Sequence, residues 1–345
     1  MKDFEYIQPD SVATATDLLA DGQDSWAKVN RRAIAGGQDL YGELKTGIVE
    51  VDSLVDLKGT GSDVTIEIDP SGNLRLDALV KLADVAELAE PGPVASLLAA
   101  AALSVASPQI RSQATLGGNL CQRPRCLYYR RPEAICLKKG GDECFAYGGH
   151  NKYNAILGGG PSFIVHPSDL APALVALDAK VTIAGAGGAV RELLLADLYT
   201  LPSEGDVTRE TVLSPSEVLT EVETQLPLVD RMAGTWRSSW QKFRERDGFD
   251  FALSAVAMCL RVDGKRIVDA RVVLGGVAPR PWRSTEAEAA LIGQELAAHG
   301  SSGFDTLATA AGEAALTGSE PLDHNAYKIP LTKGLVRRAL QELSR

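Results

Sequence analysis

Four of the five cysteines, Cys121, Cys126, Cys136 and Cys144, fall within 24 residues directly behind a glycine turn, Thr115-Leu116-Gly117-Gly118-Asn119. No other stretch limits the fold as much. Adjacent glycines carry no Cβ, so the backbone there can come within hydrogen-bonding distance of a phosphate. Free cysteine prefers apolar burial, yet these four are spread through a polar segment rich in Arg, Lys and Gly. That argues for a metal centre over ordinary core thiols. The gaps between them are four, nine and seven residues. Paired C-x-x-C knuckles of structural zinc are missing, which favours iron and sulfide, with zinc as the rival. The basic neighbours Arg123, Arg125, Arg130, Arg131, Lys138 and Lys139 would offset the charge of such a cluster. Cys259 sits in an apolar run and reads as core.

A second turn of the same kind is Ala35-Gly36-Gly37-Gln38-Asp39-Leu40. It follows a short apolar strand and is not a G-x-G-x-x-G fingerprint. Either turn alone reads most simply as structural. Two converging on one ligand would present amides to a pyrophosphate. Further on, Ser168 or Asp169 would cap a helix start behind His166. In the functional reading Asp169 also reaches the ligand. Lys242, in Gln241-Lys242-Phe243-Arg244, reads as a surface lysine or as a cation beside that ligand. His150, His299 and His324 form no group with metal-ligand spacing, and there is no nucleophile elbow, Walker loop or HExxH.

A chain of 345 residues implies two or three domains. A net charge of −10 argues against nucleic acid or an anionic membrane as the main partner. Five cysteines at this length are not a secreted disulfide framework. The start, Met1-Lys2-Asp3-Phe4-Glu5-Tyr6, has no apolar signal region. The longest apolar run, Ala95–Ala106, is too short to span a bilayer, and Arg31-Arg32 lies too deep to be a twin-arginine signal. The expected location is cytoplasmic, with export alongside a signal-bearing partner left open.

Helical spacing at Val12, Ala15, Leu18 and Leu19, behind Asp10 or Ser11 and ahead of Gly22, predicts a helix over 11–21. Strand 33–35, the glycine loop, a helical piece at 41–45 and strand 49–51 predict a small βαβ unit with its loop at the strand's carboxyl end. Residues 64–68 and 74–76 should form a hairpin around Pro70-Ser71-Gly72-Asn73. Helices follow over 78–89 and 94–106, the second nearly all apolar. Segment 122–154 lacks periodicity and should stay unstructured without a ligand. Next come a helix at 167–177 and a hairpin over 180–192. Strands 218–226 and 236–243 precede a hairpin across Asp263-Gly264-Lys265, and helices lie near 284–293, 303–317 and 327–343. The fold class is α+β, with a boundary near 205–230 and working domains 1–215 and 216–345.

Ala35–Leu40, Thr115–Asn119 and His166–Ala176 together resemble the FAD-binding subunit of the molybdenum hydroxylases, the family of xanthine dehydrogenase, carbon monoxide dehydrogenase and bacterial aldehyde oxidoreductases. The likeness runs through the tail, Asn325-Ala326-Tyr327-Lys328 and Leu335-Val336-Arg337-Arg338. It implies a two-subdomain FAD-binding fold of the PCMH/VAO type, followed by a domain of antiparallel strands and helices. It implies FAD held by Ala33, Ile34, Ala35, Gly36, Gly37, Gln38, Asp39 and Leu40 on the pyrophosphate side. Thr115, Gly118 and Asn119 belong to the second loop, with Asp169 and Lys242 also in contact. The cysteine insert, about 121–160, resembles a branch that includes periplasmic aldehyde oxidoreductase and 4-hydroxybenzoyl-CoA reductase, where it holds an additional [4Fe–4S] cluster. Cys126, Cys136 and Cys144 match three ligands. The branch's fourth ligand, just ahead of His-Pro-Ser-Asp, is absent here, where the chain reads Gly160-Pro161-Ser162-Phe163. The fourth would be Cys121, or Ser162 through its oxygen, or an external group, and Cys121 is the assignment made.

The resemblance implies an electron-transfer subunit. A molybdenum-cofactor large subunit would hydroxylate an aldehyde or aromatic heterocycle, and a [2Fe–2S] small subunit would pass electrons to FAD here and on to an acceptor. The assembly would be a heterotrimer or its dimer, without nucleic acid or membrane insertion. The alternatives are a self-contained flavin oxidase of the same broad fold, for which no catalytic base is evident, and a zinc-stabilised scaffold without enzymatic activity.

Overall fold

The computed structural model describes residues 1–21, 30–61, 64–68, 73–88, 92–224 and 235–345. Gly22, the 70–72 turn and the end of the strand expected to reach Leu226 lie outside those residues. Among the described residues there are three sheets, and the architecture is α+β.

The first sheet is parallel, with β1 (Glu5–Ile7) and β2 (Arg31–Ile34) on either side of β3 (Ser53–Asp56). Helix α1 (Val12–Ala20) is capped by Ser11, whose Oγ accepts from Thr14 N at 3.1 Å. Helix α2 (Leu40–Thr46) stops at Gly47, which takes φ +71°. The βαβ unit is present, but its closing strand starts at Ser53, two residues beyond the expected 49–51. Val51 is instead buried in a small core with Ile34, Leu44 and Leu54.

The second sheet is antiparallel, in the order β4 (Ile66–Ile68), β5 (Leu74–Asp77), β8 (Val218–Glu223), β6 (Lys180–Ala184), β7 (Val190–Leu194). Strand β8 follows residue 215 yet lies between β5 and β6, so this sheet closes only after Glu223. Packed on it are α3 (Leu82–Ala86), α4 (Pro93–Leu103), α6 (Leu116–Leu120), α7 (Leu170–Ala176) and α8 (Leu195–Leu198), with α5 (Pro108–Arg111) beside α3.

The third sheet runs β12 (Trp282–Arg283), β11 (Arg266–Gly275), β10 (Ser254–Asp263), β9 (Thr235–Phe243), with Gly264 at φ +59° in the tight turn between β10 and β11. Helices α9 (Thr285–Leu291), α10 (Ser302–Ala314) and α11 (Lys328–Leu343) cover one face. Strand β10 is apolar almost throughout because both of its faces are covered. Ala257 and Cys259 point into the core shared with α4 and α7, while Val256, Met258 and Leu260 point under α9–α11. Cys259 is core, as expected.

Segment 122–154 is irregular but well tied. Tyr128 Oη accepts from His150 N at 2.7 Å, and Asn151 Oδ1 accepts from His324 N at 2.8 Å. Asn325 Nδ2 donates to the carbonyls of Asn154 and Ala155, and Lys328 Nζ to those of Tyr153 and Gly276. The tail motif around Asn325–Lys328 thus anchors the cysteine segment with protein hydrogen bonds, where a ligand-dependent loop was expected.

Candidate cofactor site

The two glycine loops meet. A Cβ on Gly36 would stand 2.3 Å from the Gln113 carbonyl oxygen, so glycine is needed for the first loop to lie against the backbone leading into the second. Gly37 takes φ +68° under the Tyr41 ring. In the second loop Thr115 caps α6, accepting from Gly118 N at 3.2 Å.

A cleft of about 440 Å³ opens where the loops join. Every residue from Ala33 to Leu40 lines it, together with Thr115, Gly118, Asn119, Asp169 and Lys242. Leu82, Val105, Ile110 and Leu213 add apolar surface to its lining. Glycine loops and apolar side chains lining one cleft suit a ligand with a phosphate middle and flat aromatic ends.

Ser168, not Asp169, caps α7: its Oγ accepts from Ala171 N at 3.0 Å and donates to Asn119 Oδ1 at 2.5 Å. That leaves Asp169 free to accept from Lys242 Nζ at 2.7 Å, both side chains being buried. Burial pushes the Asp169 carboxyl up, against the pull of the Lys242 ammonium. Lys242 also donates to the Ser104 carbonyl at 2.8 Å.

Asp39 makes no helix cap. Its Oδ2 accepts from Arg123 N at 2.6 Å, and its Oδ1 meets Arg125 at 2.6 Å and Arg130 at 2.7 Å. Glu43, one helical turn on, accepts from Tyr129 Oη at 2.6 Å. Glu210 is ion-paired to Arg123 at 2.8 Å and Lys138 at 2.9 Å. Burial pulls the Arg123 guanidinium down, but Glu210 and the other nearby acidic groups outweigh it and hold it up. Each of these carboxylates on the cleft wall is therefore matched by a cation, which removes the repulsion that a pyrophosphate would otherwise meet.

Residues 2–227 match the family described as the FAD binding domain in molybdopterin dehydrogenase, and residues 238–343 match the CO dehydrogenase flavoprotein C-terminal domain. The chain belongs to the FAD-binding family of molybdopterin dehydrogenases. It is 35% identical to the aldehyde oxidoreductase FAD-binding subunit PaoB of Escherichia coli K12, with 90% of each chain covered. It is 25% identical to the carbon monoxide dehydrogenase medium chain of Hydrogenophaga pseudoflava, covering 98% of this chain and 96% of that one. Quinoline 2-oxidoreductase from Pseudomonas putida 86 shares the fold at a TM-score of 0.72 and 24% identity, over 100% of this chain and 98% of the other.

The cysteines are not gathered as the sequence led us to expect. Cys121 lines the cleft between the glycine loops and packs against the core of the second sheet. Burial pushes its thiol up to about 12. Burial raises the Cys136 thiol. Cys144 borders a separate cavity beside Leu137, Pro161 and Phe163. Among the described residues no three of His, Cys, Asp or Glu are grouped to hold a metal ion. Arg123, Arg125, Arg130 and Lys138, expected to offset a cluster, are bound to Asp39 and Glu210.

The sequence reading missed Glu43, Glu210 and the loop bearing Phe249 and Phe251, and set Arg123 beside a cluster; all of them line the cleft. Two signals were there to find. Asp39 and Glu43 share a helix face at i, i+4, and two phenylalanines stand in the otherwise polar 245–251 stretch.

Proposed function

We propose that this chain is the FAD-binding electron-transfer subunit of a molybdenum hydroxylase complex that oxidises an aldehyde or aromatic heterocycle. The observation carrying this reading is that both glycine loops, Asp169 and Lys242 line one cleft. FAD supplies the redox chemistry, taking up electrons and passing on a pair. Residues 33–40 and Thr115, Gly118 and Asn119 would hold the dinucleotide. Lys242 would lie beside it with its charge shared with Asp169 and its position fixed by Ser104. Asp39, clamped by three arginines, would keep the first loop in its bound shape. The partners are a molybdenum-cofactor large subunit and a [2Fe–2S] small subunit, in a heterotrimer or its dimer. The named relatives are subunits and medium chains, which does not favour a self-contained oxidase. Among the described residues no helix is long and apolar enough to cross a membrane. Cytoplasmic residence, or co-export with a partner, belongs to this proposal.

Anaerobic addition of an aldehyde to the FAD-loaded chain tests it. The isolated chain should keep its oxidised spectrum, and bleaching should require both partners. Bleaching by the isolated chain would contradict the subunit reading.

Among the described residues the four cysteines as folded are not grouped as the ligands of one cluster. A second reading keeps part of that expectation. Asn154 Nδ2 contacts Cys126 Sγ at 3.7 Å and donates to the Phe163 carbonyl at 2.9 Å. Pro161 and Phe163, on either side of Ser162, border the cavity that Cys144 lines. On this reading a metal-loaded form would draw on Cys126, Cys136 and Cys144, with Ser162 in place of Cys121. About four irons and four sulfides per chain, unchanged in Cys121→Ala, would support it. An iron-free chain from anaerobic purification would contradict it.

A further inference from the structure

Among the described residues the largest fully buried side chain is Tyr129, in the cysteine segment. Its hydroxyl donates to Glu43 Oε1 at 2.6 Å. Glu43 sits on α2, the helix that the first glycine loop leads into, and is itself 1% exposed. Two guanidiniums lie over the Tyr129 ring, Arg123 at 5.2 Å from its centre and Arg130 at 5.4 Å. Arg130 also comes within 3.7 Å of Glu43. Burial pushes the ionisation of the phenol up, so the hydroxyl keeps its proton and Glu43 is the acceptor.

The same two arginines hold Asp39, through the Arg123 amide at 2.6 Å and the Arg130 guanidinium at 2.7 Å. Asp39 and Glu43 line the cleft, one at the start of α2 and one in its first turn, while Tyr129 and Arg130 stand outside that lining. Tyr129 therefore does not border the ligand space and acts on it only through the residues it holds. The segment grips a second part of the lining as well. Arg123 donates to the Thr208 carbonyl at 3.0 Å, and Lys138 to that of Arg209 at 2.6 Å, next to Glu210.

A buried ionic network of this kind adds little net stability over well-packed apolar side chains. Its distinctive effect is positional, because a fully satisfied network allows each charge one arrangement.

Resting on the FAD reading above, we propose that Tyr129 is a positioning residue of the FAD site, and that through it the cysteine segment forms part of that site. Tyr129 fixes Glu43 and orders Arg123 and Arg130, which hold Asp39 and the first glycine loop in the shape that receives the pyrophosphate. The segment, whose Gln122, Arg123 and Arg125 line the cleft, is thus a wall of the cofactor site through its arginines and tyrosine, with no role asked of its thiols.

The test is titration of the full-length, flavin-stripped chain with FAD, followed by flavin fluorescence without denaturant, beside urea unfolding of the same flavin-free samples. Tyr129→Phe keeps the ring under both guanidiniums and removes only the hydroxyl. FAD affinity should fall about tenfold, the scale of one lost hydrogen bond to a charged group. Tyr327→Phe is the control. Its hydroxyl donates to the Lys152 carbonyl at 3.0 Å, at the far end of the same segment and outside the cleft lining. FAD affinity should there stay at the wild-type value even where urea stability drops. Glu43→Gln should weaken FAD binding too, and adding Tyr129→Phe to it should cost less than Tyr129→Phe costs alone, since the two act along one route. Wild-type FAD affinity in folded Tyr129→Phe would overturn the positioning role. So would an equal loss in Tyr327→Phe, or losses from Glu43→Gln and Tyr129→Phe that multiply independently. Should Tyr129→Phe not fold, Glu43→Gln carries the test, and unchanged FAD affinity in it would overturn the proposal. A folded wild-type chain that takes up no FAD would instead overturn the flavin reading itself.

Discussion

Asp39 holds the first glycine loop and the arginines of the cysteine segment together through one carboxylate. Asp39→Asn keeps the shape and removes the charge that two guanidiniums share. Breaking a fully buried pair costs about 3–5 kcal/mol. The Asp39 side chain is 17% exposed, so a loss nearer 2 kcal/mol is expected in urea unfolding, with FAD affinity falling at least about tenfold. FAD binding unchanged from wild type would remove Asp39 from the account. Lys328 is the other residue with a defined signature. Burial lowers its ammonium from 10.5 to about 7, and only carbonyls meet it. From pH 7 to about 10.5 the unfolded chain binds the extra proton, so this residue makes stability rise with pH. The penalty is greatest at and below pH 7 and fades towards 10.5. Relative to wild type, the stability of Lys328→Met should therefore drop by about 2 kcal/mol between pH 7 and 9. A pH-independent difference would show that the ammonium is not desolvated.

At the scale of elements, the loop junction is the sensitive point. Gly36→Ala puts a methyl group against the Gln113 carbonyl and should cost about 1–3 kcal/mol while weakening FAD binding. Gly187→Ala, in an exposed hairpin with open space around it, should leave FAD binding alone. Equal FAD affinity in the two variants would show that the junction does not shape the site. Local elements were readable because their signals are local: the Ser11 cap, the alternation along β5, the Asp-Gly turn between β10 and β11. Both glycine loops were readable as well, since glycine pairs in short small-residue segments have few uses. What the cysteine segment does was not. Its arginines meet Asp39 across 84 and 91 positions of chain, and no periodicity reports a contact that distant. The same holds for Cys121, whose nearness in sequence to Cys126 hid that it packs into a different core.

For the whole molecule, β10 joins the two halves. Ala257 and Cys259 belong to the core of the FAD-binding portion, and Val256, Met258 and Leu260 to that of the C-terminal helices. Neither core is complete without the strand, so unfolding should be one transition, with FAD release and loss of helical signal at the same urea concentration. Two separated transitions would mean that the halves fold independently. The account depends most on the cleft between the glycine loops being the FAD site, and titration of the flavin-stripped, folded chain with FAD, followed by quenching of flavin fluorescence, asks this directly. Saturation at one FAD per chain is predicted, weakened in Gly36→Ala and retained in Cys121→Ala and Gly187→Ala; a folded chain that takes up no FAD, or one that binds it equally well with Gly36 replaced, would contradict it.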